Sequence, residues 1–297
     1  MSQRTVLITG CSDNSLGAAL ALALHAQKLH VFATARNLSK TSSLQNAGIE
    51  CLELDVLSAE SIKSCVAQVT RLTGGTLDIL INNAGRGHYM PFLHLDLRKA
   101  RDLFELNVWS YLEVTQAFLP LLMKNASPAP TGKKSLLVNN TSISSVLRTP
   151  YHSAYSASKA AMAMFSDTQR IELRPFGIHV IDLKTGSTTS TFGEHRSNDL
   201  DIPDDSPYKP IEDDVKNVIT GAATEAYAED QTKWAENVAS DLLKVNPPDQ
   251  VWRGGSAGTI QLTNALPLPI SVGDPAFKNL GGLNKLEKIL ADKARGS

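Results

Sequence analysis

The stretch Thr5-Val6-Leu7-Ile8-Thr9-Gly10-Cys11-Ser12-Asp13-Asn14-Ser15-Leu16-Gly17 decides the fold. Thr5–Thr9 reads as one continuous apolar run, the pattern of a strand buried on both faces. From Gly17 to Lys28 the chain is rich in Ala and Leu and reads as a helix. A buried strand that passes through a glycine-containing turn into a helix opens a β-α-β unit, and such units build parallel sheets.

Working outward, the same alternation repeats. Strands are expected at His30–Ala35, Ile49–Val56, Leu77–Asn82, Ser135–Thr141 and Ile178–Leu183, with an edge strand at Val251–Gly254. Helices are expected from Ser58 to Thr73, as one long element from Leu97 to Lys124, and from Ala154 to Arg174. Right-handed crossovers between parallel strands give a doubly wound α/β sheet of the Rossmann type, three layers deep (α/β/α). Residues 187–215 are rich in Ser, Thr, Asp and Pro and read as a long mobile loop with a short helix. Residues 216–245 read as helical, and in the tail, 259–297, Pro and Gly breaks alternate with apolar residues. The 297 residues fit one domain: a core at 4–190, a substrate-facing part at 187–245 and the tail.

Composition narrows the class. The chain is 42 % hydrophobic with a net charge of −1, so no global field draws it to nucleic acid or anionic membrane. Its three cysteines, Cys11, Cys51 and Cys65, form neither a disulfide framework nor a metal cluster, and no metal is expected. The N-terminus lacks a signal-peptide run, and no apolar stretch approaches the ~18 residues of a membrane span. A cytoplasmic protein without a transmembrane segment is expected.

The chemistry-bearing residues fall at the carboxyl ends of the expected strands, where doubly wound sheets bind ligands. Gly10 and Gly17 let a pyrophosphate approach the backbone. Ser12 and Ser15 can donate to it, Asn14 tolerates positive φ, and Leu16 opens the helix whose free N–H groups favour an anion. An ordinary tight turn is the bland alternative. After the second strand stands Ala35-Arg36-Asn37-Leu38-Ser39-Lys40, with no acidic residue to bind a ribose hydroxyl. Arg36, helped by Lys40, suits the 2′-phosphate of NADP. Tyr155 and Lys159 lie one helical turn apart. At ~5 Å an ammonium stabilises a phenolate by roughly 3 kcal/mol, which moves the phenol toward neutral pH. Ser142 can hold a substrate carbonyl, and Asn107 can hold a water that feeds a proton relay to Lys159. His88 and Tyr89 either reach substrate or are plain loop residues, and His152 and Leu147 are candidates for the pocket wall. Singly each has a structural reading as a surface pair, a cap or a buried polar residue. Their joint spacing is what points to a site.

Thr9-Gly10…Gly17, Asp55, Asn82-Asn83-Ala84-Gly85, Asn107, Ser142 and Tyr155-x-x-x-Lys159 together resemble the short-chain dehydrogenase/reductase family over residues 4–190. The resemblance implies that Tyr155 is the general acid, that Lys159 lowers its pKa and holds the nicotinamide ribose, that Ser142 positions the carbonyl and that Asn107 organises the relay. It implies adenine contacts from Asp55 and Val56, and a cofactor floor from Asn83, Ala84 and Gly85. It also implies a loop from Thr185 through Gly186 and Thr188 to Ser190 that closes on the carboxamide. Two departures stand out. Asn14-Ser15 occupy a region where the family carries a glycine, and Thr185-Gly186 replaces its Pro-Gly, which predicts a less rigid loop.

A narrower resemblance, on Cys11-Ser12, Ala35-Arg36, Thr185-Gly186 and Val251-Trp252-Arg253-Gly254, is to fungal reductases related to 1-acyldihydroxyacetone-phosphate reductase. Related enzymes associate with lipid bodies or endoplasmic reticulum, and others tailor fungal secondary metabolites. Trp109 and Phe165 sit on the two long helices, which in this family pair subunits, so a homodimer or homotetramer is implied. The expected function is NADPH-dependent reduction of a ketone or aldehyde, on a lipid-like or secondary-metabolite substrate. Two alternatives stay open: a non-redox isomerase or cyclase using the Tyr/Ser pair, and a cofactor-binding regulatory protein.

Overall fold

Strand β1 (Thr5–Ile8) is sequestered on both faces, with Val6 and Ile8 packed into one hydrophobic cluster and Leu7 into another. The computed structural model describes residues 3–127, 134–190 and 202–296. Along these, helix α1 (Leu16–Ala26) leads to β2 (His30–Ala35), and α2 (Ser42–Asn46) to β3 (Glu50–Glu53). Then come α3 (Ala59–Thr73), β4 (Ile79–Asn82), α4 (Leu97–Phe104), α5 (Ser110–Asn125), β5 (Ser135–Asn140), α6 (Ser153–Leu173) and β6 (Ile178–Thr185). Two-residue strands β7 (Thr188–Thr189) and β8 (Glu229–Asp230) pair with each other. Between and after them lie α7 (Glu212–Thr220), α8 (Gln231–Leu242), β9 (Gln250–Arg253), α9 (Ala257–Asn264), α10 (Asp274–Leu280) and α11 (Leu283–Gly296).

Among the described residues the central sheet has seven strands in the order β3-β2-β1-β4-β5-β6-β9, all parallel. Residues of α1 and α8 cover one face, with Leu20, Leu24, Trp234, Val238 and Leu242 against Ile8, Val31 and Ile181. Ile62, Val69, Val114 and Phe118 of α3 and α5 cover the other, against Leu7, Phe32 and Leu137. This is the expected three-layer doubly wound fold. The strand order reverses between β1 and β4, which places the ligand crevice at their carboxyl ends.

Two expectations are corrected, and the tail gains a structure that its sequence did not assign. The element from Leu97 to Lys124 is not one α-helix: a π-helical turn at Glu105–Trp109 separates α4 from α5. Such a turn inserts a residue and re-aims the side chains in it. Residues 216–245 are not continuously helical. Gly221, at φ +85°, ends α7, and a 3-10 turn and β8 precede α8. The tail is largely helical, because Leu283, Leu286 and Ile289 of α11 dock on a third cluster around Tyr155. The loop expected at 187–215 holds β7, a 3-10 turn at Lys209–Ile211 and the start of α7; residues 191–201 lie outside the described residues. Among the described residues no helix is long and apolar enough to cross a membrane.

Candidate active site

The turn after β1 is built on backbone contact. Gly10 has φ +74°, and a Cβ there would stand 2.8 Å from the Cα of Ala84. A Cβ at Gly17 would meet the Gly10 carbonyl oxygen at 2.5 Å and Asn83 Nδ2 at 2.6 Å. Only glycine fits either position. Asn14 takes φ 61°, the left-handed conformation that asparagine tolerates and a glycine would otherwise supply. Asp13 braces the turn: its carboxylate accepts from the backbone and hydroxyl groups of Ser42 and Ser43 at the start of α2. Those bonds hold its pKa below the usual carboxylate value, against the opposing effect of its partial burial.

Ser15 caps α1. Its hydroxyl donates to the Gly10 carbonyl (3.2 Å) and accepts from Ala18 N (3.1 Å). Leu16 and Gly17 follow as the first two residues of the helix, where N–H groups have no intrahelical acceptor. Ser12 makes no side-chain hydrogen bond among the described residues. Arg36 is exposed at the end of β2, without an ion pair among the described residues. Asp55 Oδ1 accepts from Leu57 N, and Val56 is buried beside it.

Asparagines tie the strand ends together. Asn83 Nδ2 donates to the carbonyls of Thr9 and Gly10 (2.8 and 3.2 Å), while Thr9 Oγ1 accepts from the backbone N–H of Asn83 and Ala84. This joins β1 to β4 across the switch point. Asn107, aimed inward by the π turn, is fully buried. Its Oδ1 accepts from Arg86 N (3.1 Å) and its Nδ2 donates to Arg86 O (3.0 Å) and Ser158 Oγ (3.2 Å). Both amide hydrogens are therefore committed to protein, and the side chain brackets the segment after Gly85.

Lys159 is buried on α6 and donates to the Asn140 carbonyl at 2.9 Å. Its Nζ lies 5.6 Å from the Tyr111 ring centroid and 6.0 Å from that of Tyr155. Burial pulls its pKa from 10.5 down to about 8, against the opposing pull of Asp182. The Tyr155 ring meets Tyr89 edge-on at 5.3 Å, and Tyr89 lies over His152 at 4.2 Å. Ser142 closes the set at the end of β5, where its Oγ accepts from Ser144 N at 3.0 Å. Burial beside Lys99 and Arg86 lowers the pKa of His88. Leu147 packs beside Ile143 and Trp252, next to the Ser142 turn.

The segment after β6 is tied to the end of β9 by backbone hydrogen bonds. Gly186 N donates to Arg253 O (2.7 Å), and Ser187 and Gly255 exchange backbone hydrogen bonds (3.1 and 2.8 Å). A Cβ at Gly186 would stand 2.3 Å from Gly255 O, so this close approach requires glycine. Thr188 continues into the β7–β8 pair, and Ser190 ends this described stretch. Trp109 is 43 % exposed and meets Phe165 edge-on at 6.2 Å, on the outward side of the π turn and α6.

Residues the sequence reading missed are Asn140, Tyr151, Asp182 and Lys184. Asn140 Nδ2 donates to Asn83, its Oδ1 accepts from Thr185 (2.6 Å), and its carbonyl accepts from Lys159 and Tyr111. Tyr151, at φ 69°, sits just before α6 and donates its hydroxyl to the Gly281 carbonyl in the tail. The available signal for Asn140, Asp182 and Lys184 was polar residues inside strands read as buried.

Residues 4–201 match the family model described as short chain dehydrogenase. A short-chain dehydrogenase/reductase of Pestalotiopsis microspora is 40 % identical over 97 % of this chain and 97 % of its own. An NADPH-dependent 1-acyldihydroxyacetone phosphate reductase of Schizosaccharomyces pombe is 34 % identical over 70 % of this chain and 69 % of its own. Among solved structures, a short-chain dehydrogenase from Streptomyces avermitilis superposes with a TM-score of 0.73 at 27 % identity, covering 97 % of this chain and 98 % of that one. With the Tyr155, Lys159, Ser142 and Asn107 geometry on that sheet, the chain belongs to the short-chain dehydrogenase family, whose members are oxidoreductases.

Proposed function

We propose that the protein is an NADP-dependent reductase that converts a ketone or aldehyde to an alcohol. The observation that carries this reading is the Lys159 ammonium buried at 6.0 Å from the Tyr155 ring, on the helix beside the Ser142 turn.

The cofactor crevice fits the dinucleotide on its own geometry. Glycines at 10 and 17 let the turn pack directly on Ala84 and Asn83, and Leu16 and Gly17 open α1 with N–H groups free of intrahelical acceptors, where a pyrophosphate would bind. Arg36, exposed and with no acid beside it in sequence, would take the 2′-phosphate. Asp55, Val56, Asn83, Ala84 and Gly85 would hold the adenine side and the floor, and Gly186, Thr188 and Ser190 the nicotinamide side. The S. pombe relative carries NADPH dependence in its name, which supports the same preference. When bound, NADPH supplies the hydride that reduces the carbonyl carbon.

The chain's own residues do the rest. Ser142 Oγ–H donates to the carbonyl oxygen and steadies the charge that develops there. Tyr155 delivers its proton to that oxygen, and the Lys159 ammonium stabilises the phenolate left behind. With a pKa lowered to about 8, Lys159 can release a proton near neutral pH and so restore the phenol. Asn107 fixes the backbone after Gly85, which keeps the floor in register. The wall next to Tyr155 is apolar and aromatic, with Tyr89, Tyr151, Ile202 and Tyr208 in one cluster. It suits a lipid-like or aromatic secondary-metabolite ketone rather than a small polar one. Residues 187–245 and the tail are assigned to substrate binding within a single domain. A homodimer or homotetramer through the Trp109 and Phe165 face, and a cytoplasmic location, complete the reading.

The test is a panel of alkyl and aryl ketones and aldehydes, scored by carbonyl-dependent loss of NADPH absorbance together with alcohol formation. Stoichiometric alcohol is expected. Product formed without NADPH consumption would favour a non-redox isomerisation, and cofactor binding without turnover across the panel a regulatory protein.

A further inference from the structure

Strand β6 is buried from Val180 to Thr185 except for slight exposure, yet it carries Asp182 and Lys184 on one face. Lys184 Nζ lies 2.6 Å from Asp182 Oδ2, and the two side chains are 4 % and 2 % exposed. Two charges taken out of water recover their desolvation only through close geometry and further hydrogen bonds, and an apolar pair would serve a core as well. The further bonds here all run to one target. Thr141 Oγ1 donates to Asp182 Oδ1, and Lys184 Nζ donates to Ser145 Oγ at 3.0 Å. Thr141 and Ser145 flank the turn that carries Ser142. Within it Ser144 N donates to Ser142 Oγ and Ser145 N to Ser142 O (3.0 and 2.9 Å). Lys184 Nζ also stands 5.4 Å from the Trp252 ring, which packs on Ile143 of the same turn.

We propose that the Asp182–Lys184 ion pair is a positioning device that clamps the Ser142 turn at Thr141 and Ser145 and so aims the Ser142 hydroxyl. The inference rests on the reading of Ser142 as the donor to the substrate carbonyl. Neither lysine nor aspartate touches the reacting atoms: Lys184 acts through the serine turn, and Asp182 acts through that turn and through its pull on the Lys159 ammonium.

The experiment uses the full chain in three variants. Ser145→Ala removes the acceptor and leaves the ion pair intact. Lys184→Met breaks the pair. Asp182→Asn with Lys184→Met removes both charges together, which is tolerated where loss of one partner is not. For Ser145→Ala and the paired variant we expect kcat to fall about tenfold, with KM for NADPH unchanged within about twofold. In a Ser142→Ala background Ser145→Ala, which leaves the Asp182 charge and its pull on Lys159 in place, should cause no further loss. Amide hydrogen exchange at Ser144 and Ser145 should quicken in the paired variant, while exchange in β1 and β4 stays as in wild type. A Ser145→Ala loss that multiplies with Ser142→Ala, or an unchanged kcat in both variants, would overturn the clamp. Unchanged protection at Ser144 and Ser145 would overturn it too, whether or not the wild type turns over. Quickened exchange in a protein with no carbonyl reductase activity would sink the redox reading alone.

Discussion

Lys159→Met is expected to stabilise the folded protein while abolishing turnover. Lysine 159 is buried, and its pKa falls from 10.5 to about 8 in the folded chain. A difference of that size disfavours the charged form by roughly 3 kcal/mol relative to the unfolded chain. Methionine fills similar space without a charge. It forfeits the hydrogen bond to the Asn140 carbonyl, worth ~1 kcal/mol, but that carbonyl keeps the Tyr111 hydroxyl at 3.2 Å and is not orphaned. The net gain is about 2 kcal/mol near neutral pH. Its pH dependence has a fixed sign. Below about 8 both states hold the proton and the folded state bears the full penalty. Between there and 10.5 the unfolded state binds more protons, so wild-type stability rises with pH and the advantage of the variant fades. Urea unfolding without cofactor, compared between the two proteins at about pH 7 and about pH 10, reads this directly. A variant less stable than wild type at neutral pH, or a difference that ignores pH, would refute the reasoning.

Other outcomes follow from the same geometry. Arg36→Ala should weaken NADPH binding about ten- to a hundredfold and leave NADH binding and the unfolding midpoint unchanged, because a charge-assisted pair to phosphate is lost and no internal contact is. Isothermal titration with both cofactors checks it, and an equal loss for NADH would count against a 2′-phosphate site. Burial pushes the Cys11 and Cys65 thiols up to about 12, so neither should be alkylated by iodoacetamide near neutral pH until the chain unfolds. Peptide mass spectrometry of the native protein would expose a failure.

Much of the fold was written in local pattern. The central strands are short apolar runs punctuated by turns and amphipathic helices, while the edge strands β3 and β9 carry fewer apolar residues. The Tyr155–Lys159 spacing was legible because a helix puts i and i+4 on one face. What stayed hidden depends on contacts between distant segments. Nothing in the sequence around Asn107 announces a π turn; the residue is aimed by its bonds to Arg86 and Ser158. Ser15 read as a phosphate donor, because a serine at a helix start suits either a ligand or a cap, and only coordinates show the hydroxyl on Gly10 and Ala18. The α11 helix has apolar spacing of its own, but without the cluster around Tyr155 the Pro and Gly breaks upstream dominate the reading. Asn140 and the Asp182–Lys184 pair looked anomalous only once their strands were known to be covered on both faces.

The central claim is that Tyr155 delivers the proton to a carbonyl oxygen with Lys159 holding the charge it leaves. Tyr155→Phe keeps the ring that meets Tyr89 and deletes only the hydroxyl. Single-turnover oxidation of bound NADPH by an accepted ketone should slow by about a thousandfold while the cofactor Kd stays within about threefold of wild type. A variant that still turns over within about tenfold of wild type would contradict the account.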